Sequence, residues 1–237
     1  MIESASLEHC LSFINSQLQN GGKSGTHAEG GIRHAVTISR QAGCGALAVA
    51  QKLAEYLQSR SPKDACPWTV FDRNLMDKVL EDHNLPTRLA RLLPEDTVSK
   101  IDDILAELFD VRPSVETIVH QTTETMLKLA GLGNVILIGR GGNVITAELP
   151  HVLHVRLVAP LEKRIEYAHK EYHQFNVTAD QARKFCLKED HGRERYMKKY
   201  FNADISDPLL YHMIINTGLV NFDDAAELIG DAVLNLH

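Results

Sequence analysis

Two hydrophobic periods alternate along this chain. Ala35-Val36-Thr37-Ile38-Ser39, Val135-Ile136-Leu137-Ile138, Val152 to Val158 and Met213-Ile214-Ile215 are short apolar runs. Runs of that kind suit strands buried on both faces. Thr69-Val70-Phe71-Asp72 is a further strand. Between these runs, apolar residues recur at helical spacing. The pattern predicts helices over 46–58, 95–110, 114–131, 160–173, 178–202 and 222–235, and a helical stretch from Leu75 to Glu81. Pro160 suits a helix start. Strands alternating with helices imply an α/β fold, a parallel sheet sandwiched by helices. Strands 35–39, 69–72, 135–138, 152–158 and 212–216 are expected to share that sheet. Residues 4–19 read as an amphipathic helix with Leu7, Cys10, Leu11, Ile14 and Leu18 on one face. That face either packs on its own domain or joins two copies in a homodimer. Asn20 to Gly31 is polar and glycine-rich and reads as a linker. The domain proper therefore spans 34–237, after an N-terminal helix and linker at 1–33.

The first strand runs into Arg40-Gln41-Ala42-Gly43-Cys44-Gly45-Ala46, and a helix pattern follows from Leu47 to Leu57. Strand, glycine turn and helix form the phosphate-cradling unit of P-loop proteins. The glycines let N–H groups turn inward, and the helix N-terminus adds partial positive charge. Ala42, Gly43, Cys44, Gly45 and Ala46 are the expected donors. A Walker A loop continues with Lys and then Ser or Thr; this chain has Ala46 and Leu47. The plain alternative is an ordinary strand-to-helix turn.

Composition narrows the setting. The chain has 237 residues, 44% of them apolar, so one large α/β domain has material for its core. A net charge of −6 argues against nucleic acid as a partner. No apolar run reaches the ~18 residues that cross a bilayer, so no membrane partner is expected. The N-terminus lacks the pattern of a secretory signal. Cys10, Cys44, Cys66 and Cys186 have no CxxC spacing and read as reduced thiols in a cytoplasmic protein.

Five motifs then occur in order: Ile38 to Gly45; Phe71-Asp72-Arg73; Ile138-Gly139-Arg140-Gly141; Asp190-x-x-Arg193-x-x-Tyr196; and Asp207-Pro208-x-x-Tyr211-x-x-Ile214-Ile215-Asn216-Thr217-Gly218. Together they resemble the cytidylate kinase-like family, relatives of the bacterial CMP kinases among the nucleoside monophosphate kinases. The resemblance covers about 34–235. It implies a helical acceptor-binding region at about 75–133 and a mobile lid at about 162–205. It implies ATP and Mg²⁺ as cofactors, and nucleotide substrates. The family's phosphate loop maps to Gly43, Cys44 and Gly45, with Asn216 and Thr217 on the same nucleotide. Its aspartate after the second strand maps to Asp72, and the arginine that grips the acceptor phosphate to Arg140. Its lid aspartate and arginine map to Asp190 and Arg193, and its other lid arginine to Arg164.

Phosphoryl transfer needs positioning and charge neutralisation. Arg40, Arg140, Arg164, Arg193 and Arg195 are the candidate cations, since a guanidinium fork suits phosphate oxygens. Asp190 and Arg193 stand three apart on a helix and can pair. Glu166 and Tyr167 stand where CMP kinases carry further basic residues, which weakens the grip on the donor phosphates. Leu47 offers magnesium no hydroxyl, so Asp72 is the expected metal ligand. His169 and His173, with Glu166, read as an exposed helix face and not a zinc site. Cys44 lies near a helix N-terminus, which lowers a thiol's pKa. The expected reaction moves the ATP γ-phosphate to CMP or dCMP. Two other readings stand beside it: a degenerate nucleotide-binding sensor or scaffold, and a small-molecule kinase with another acceptor.

Overall fold

The computed structural model describes residues 33–62, 65–72, Leu89, Leu93, 95–110, 117–171 and 177–236. The expected helix at 4–19, its linker, the stretch Leu75 to Glu81, Arg73 and His173 lie outside the described residues. In chain order the elements are β1 (Ala35–Arg40), α1 (Ala46–Arg60), β2 (Thr69–Phe71), α2 (Glu95–Asp110), α3 (Thr117–Leu132), β3 (Val135–Ile138), α4 (Gly142–Ile145), β4 (Val152–Val158), α5 (Leu161–Glu171), α6 (Ala179–Phe201), β5 (Met213–Asn216) and α7 (Phe222–Leu234).

All five strands pair in parallel, in the order β2-β3-β1-β4-β5. β1 is central, with Thr37 opposite Leu137 on one side and His154 on the other. The chain fills the sheet on the β3 side of β1 first and on the β4 side afterwards. The C-terminal end of β1 is therefore where the winding reverses, and open α/β sheets bind ligands in that crevice.

Side chains alternate across the pleat, and each face has its own core. Val36, Ile38, Ile136, Val155 and Leu157 pack with Val49, Leu53 and Leu57 of α1 and with Ala226, Ile229 and Val233 of α7. Ala35, Val135, Leu137 and Val152 pack with Ile101 and Leu105 of α2 and with Met126, Leu127 and Leu129 of α3. This second face changes character along the strands. Its next positions on β1 and β4 are Thr37, Ser39, His154 and Arg156, all buried.

The helices at 161–171 and 179–201 are richer in charge than in apolar positions, yet they enclose a small core of their own. Ala168, Ala182 and Cys186 are buried against Ala42 of the glycine turn, with Leu161, Ile165 and Val177 around them. Thr178 starts α6 with a capping box, its hydroxyl accepting from Gln181 N–H while the Gln181 side chain accepts from Thr178 N–H.

Leu137 is wholly buried in β3. Leu137→Ala is expected to cost about 2–5 kcal/mol through lost burial and the cavity left behind. Urea unfolding checks this, with a loss under 1 kcal/mol contradicting the packing described.

Candidate functional site

The glycine turn closes β1 onto α1 with two residues at positive φ, Gly43 at 79° and Gly45 at 70°. Gly45 is the N-cap of α1 and offers no side-chain cap. Both glycines are also required by space. A Cβ on Gly43 would collide with the Arg164 carbonyl, and one on Gly45 with the Phe222 ring. The turn is thus pressed between α5 and the start of α7. Gln41 N–H donates to Leu157 O at 3.0 Å, continuing the β1–β4 ladder. Ala42 N–H donates to Asp190 Oδ1 at 2.7 Å. Among the described residues, the N–H groups of Gly43, Cys44, Gly45 and Ala46 have no backbone acceptor. The turn's candidate donors are therefore 43–46, with Ala42 turned to Asp190.

Asp190 is the junction of the site. Its Oδ2 pairs with Arg164 Nη1 at 2.5 Å, and its Oδ1 accepts from Arg193 Nη1 at 3.3 Å as well as from Ala42. Arg164 is buried, and it also donates from Nε to Ala159 O at 3.0 Å and from Nη1 to Ala42 O at 3.2 Å. Its Nε and Nη1 thus tie α5 to Ala159, to the turn and to Asp190. Arg193 reaches Glu189 Oε2 at 3.4 Å from its other nitrogen.

Three cavities meet the turn or its flanks. The first, of about 120 Å³, is lined by the turn from Gln41 to Leu47, and by Arg40, Glu171, Phe185 and Arg193. The second, of about 250 Å³, lies beyond the C-terminal ends of β1 and β3. Arg40, Arg140, Asn143, Arg193, Tyr196 and Ile205 are among its walls. Arg40 and Arg193 line both, so they stand at the boundary between them. Arg140 enters from a left-handed backbone, φ 57°, unusual for a residue with a side chain. The third cavity, of about 340 Å³, opens on the far side of Gly43. Its walls include Lys163, Tyr167, Lys170 and the turn from Thr217 to Phe222. Tyr167 and Phe222 meet edge to face there, with ring centroids 5.2 Å apart.

The remaining expected site residues fall as follows. Thr217 Oγ1 donates to Cys44 O at 3.1 Å, so it braces the turn from below. Asn216 Oδ1 accepts from Gly218 N–H at 2.9 Å and shapes the turn after β5. Asp72 follows β2, two strands from β1, and lines none of the three cavities. Among the described residues, no three His, Cys, Asp or Glu side chains cluster as a metal site.

Two expectations change. Cys44 was expected to have a lowered pKa near the helix end, but its thiol is buried and burial pushes it up to about 11. Its environment makes it an inert packing residue. Glu166 was expected to weaken an anion site, yet its carboxylate is answered by Lys170 at 2.8 Å and Lys163 at 3.6 Å. Sequence reasoning missed Glu171 and Glu189, which line the first and second cavities. It also missed Asn143 and Arg156. Burial holds the Glu171 carboxyl above the usual range.

The pattern of the cytidylate kinase-like family matches residues 35–219. The crystal structure of an uncharacterized protein from Eubacterium ventriosum ATCC 27560 superposes with a TM-score of 0.55 at 18% identity, covering 85% of this chain and 98% of that one. That likeness speaks for the fold alone. A uronate isomerase from Corynebacterium glutamicum is 26% identical over 110 residues, 46% of this chain and 20% of that protein. The matched part is thus a fifth of that relative's length. Among the described residues, no helix is long and apolar enough to cross a membrane.

Two outcomes follow from this geometry. Asp190→Ala leaves Arg164 buried without its counter-ion, and the expected loss is about 3–5 kcal/mol. A loss below 1 kcal/mol in chemical unfolding would remove Asp190 from its central place. His154 is buried, and burial, with His212 adding to it, lowers its pKa from 6.5 to about 4. The folded state therefore binds fewer protons than the unfolded one between those values. Stability held above pH 6.5 should fall by up to roughly 3 kcal/mol as pH drops to 4. His154→Gln should flatten that part of the stability–pH curve, and an unchanged curve would contradict the assignment.

Proposed function

The chain belongs to the cytidylate kinase-like family, and on that premise we propose that it is a phosphotransferase moving the γ-phosphate of ATP to CMP, dCMP or a similar monophosphate. One observation carries the proposal. A cavity floored by backbone N–H groups adjoins a second cavity, and Arg40 and Arg193 stand on the boundary between them. Donor phosphates suit the first cavity, an acceptor suits the second, and the transferred group would pass between two guanidinium groups.

Each residue's part follows from its chemistry. The N–H groups of Gly43 to Ala46 hold phosphate oxygens, aided by the N-terminus of α1. Arg40 and Arg193 neutralise charge on the transferred group, taking the place of the lysine that Ala46 lacks. Arg140 holds the acceptor phosphate. Arg164 shapes the loop through Asp190 and Ala42 and so acts as a positioning residue. The donor base goes to the third cavity, where Tyr167 and Phe222 offer ring edges and faces. Magnesium supplies further charge neutralisation when it rides on the phosphates, keeping most of its waters. Glu171 is the carboxylate in the donor cavity that would hold it, since Asp72 lines none of the three cavities.

A second reading has an observation of its own. Arg164 is held by Asp190 and two carbonyls, and Ala46 and Leu47 leave the loop without lysine or hydroxyl. A chain of that kind could bind a nucleotide without turnover.

Purified protein with ATP, Mg²⁺ and a panel of monophosphates separates the two. ADP release above background is expected with at least one of them. Arg140→Ala should chiefly raise KM for the acceptor. Arg193→Ala should lower kcat by about 10²–10³, the scale for one preorganised donor. Nucleotide binding with no ADP release from any monophosphate would replace the kinase reading with the non-catalytic one.

A further inference from the structure

The second cavity has a polar floor that the kinase motifs do not explain. Thr37 and Ser39 line it from β1, and Asn143 lines it from α4. Behind Ser39 lies Arg156, in register with it on β4 and only 7% exposed. Arg156 Nη1 donates to Ser39 Oγ at 2.9 Å and lies 3.5 Å from the Tyr211 hydroxyl. The Tyr211 hydroxyl donates to Ile205 O at 2.9 Å and lies 3.2 Å from Ser39 Oγ. Among the described residues, no carboxylate comes within 4.0 Å of the Arg156 guanidinium. Asp204 feels its charge, but that carboxylate is held by Ser206.

Asn143 is the second anomaly. It is 5% exposed, and its Nδ2 has no hydrogen-bond partner among the described residues. An amide donor buried without a partner is costly, because it loses its bond to water and gains none. A buried guanidinium without a counter-ion is costly too. The Asn143 deficit is an unmet donor in the cavity wall that Ser39 also lines, whereas Arg156 lies behind Ser39, bonded to it and facing the Tyr211 ring at 5.6 Å. A ligand oxygen in that cavity would answer Asn143 Nδ2 directly and meet the Arg156 charge through the Ser39 hydroxyl.

We propose that Asn143, Ser39 and Arg156 are the specificity-determining floor of the acceptor site. They take a hydrogen-bond-accepting oxygen of the acceptor, supplied by its phosphate or by a base carbonyl. Asn143 donates to that oxygen. Arg156 acts through the Ser39 hydroxyl, which it polarises, and through its charge. This rests on the reading of the second cavity as the acceptor site.

Calorimetric titration of the full chain tests it with three probes: inorganic phosphate, cytidine and CMP. The variants are Asn143→Asp, which is isosteric but replaces the donor with an acceptor, Arg156→Gln and Arg156→Lys. Ser39→Ala serves if Arg156→Gln fails to fold. Asn143→Asp and Arg156→Gln should each weaken CMP binding about tenfold or more. Arg156→Lys should retain more affinity than Arg156→Gln, because it keeps the charge. ATP affinity should stay within twofold throughout. If phosphate weakens with CMP while cytidine does not, the oxygen belongs to the phosphate. If cytidine weakens with CMP while phosphate does not, it belongs to the base. Either outcome supports the proposal. Unchanged CMP affinity, an equal loss of ATP affinity, or a wild-type chain that binds none of the three probes would overturn it. Turnover is measured separately. A chain that binds CMP through this floor but releases no ADP keeps the inference and loses the kinase reading. A chain that turns over with unaltered KM in these variants does the reverse.

Discussion

The carboxylate of Asp190 organises everything around the site. It sits on α6 yet bonds the backbone of the glycine turn and the buried arginine of α5. Three separate pieces of chain therefore meet on two oxygen atoms. Burying such a pair is costly, because both charges leave water. The geometry offsets that cost. Arg164 makes two further bonds to carbonyls, and Asp190 accepts from Ala42 N–H and from Arg193. An apolar pair of equal volume could fill the same space as stably, but it could not hold the Ala42 N–H in place. What the ion pair provides is position. It fixes the turn against α5 closely enough that only glycine fits at 43.

That constraint redistributes the cations. Two of the three Arg164 nitrogens are committed, to Asp190 and to two carbonyls, and Arg164 lines neither of the first two cavities. The positive charge facing the two cavities comes instead from Arg40 and Arg193 at their boundary and from Arg140 beyond. Arg193 is itself bound to Glu189 and Asp190, so it is oriented before any ligand arrives. Preorganised donors are worth more to a reaction than mobile ones, since they need no reordering as charge develops. A loop without lysine thus has a route to charge neutralisation that does not pass through the loop.

Much of the fold was legible because its signals are local. All five strands are apolar runs, and their alternation with helical periods implied a parallel sheet covered on both faces. β1 ran one residue past its expected end, to Arg40, and β2 stopped one short, at Phe71. The family likewise followed from motifs that are contiguous in sequence. The site was less legible because its bonds are not local. Arg164 and Asp190 are 26 residues apart, and nothing in either helix's pattern announces that they meet. Both are read from the sequence as groups for a ligand, and their bond to each other is the part the sequence does not announce. Cys44 shows a different limit. Helix end and burial push a thiol's pKa in opposite directions, and the sequence gives no measure of burial. Arg156 did leave a trace, a charge inside the run Val152 to Val158 at an inward position. Asn143 left none.

The polar end of the sheet's second face joins these points. A strand buried on both faces is cheapest when it is apolar throughout. β3 is so along its whole length, whereas β1 and β4 turn polar on that face at Thr37, Ser39, His154 and Arg156. Their bonds run mostly among themselves: Thr37 Oγ1 lies 2.8 Å from His154 Nδ1, His154 N–H donates to His212 Nδ1 at 2.9 Å, and Arg156 donates to Ser39. Partners satisfied in this way explain how the groups are tolerated, but not why apolar residues were not used. The change coincides with the C-terminal ends of the strands, beside the cavity that Thr37 and Ser39 line. Packing alone needs no polarity there. The sheet therefore changes character along one face: an apolar core at its N-terminal ends, and a buried polar surface beside the cavity where the winding reverses.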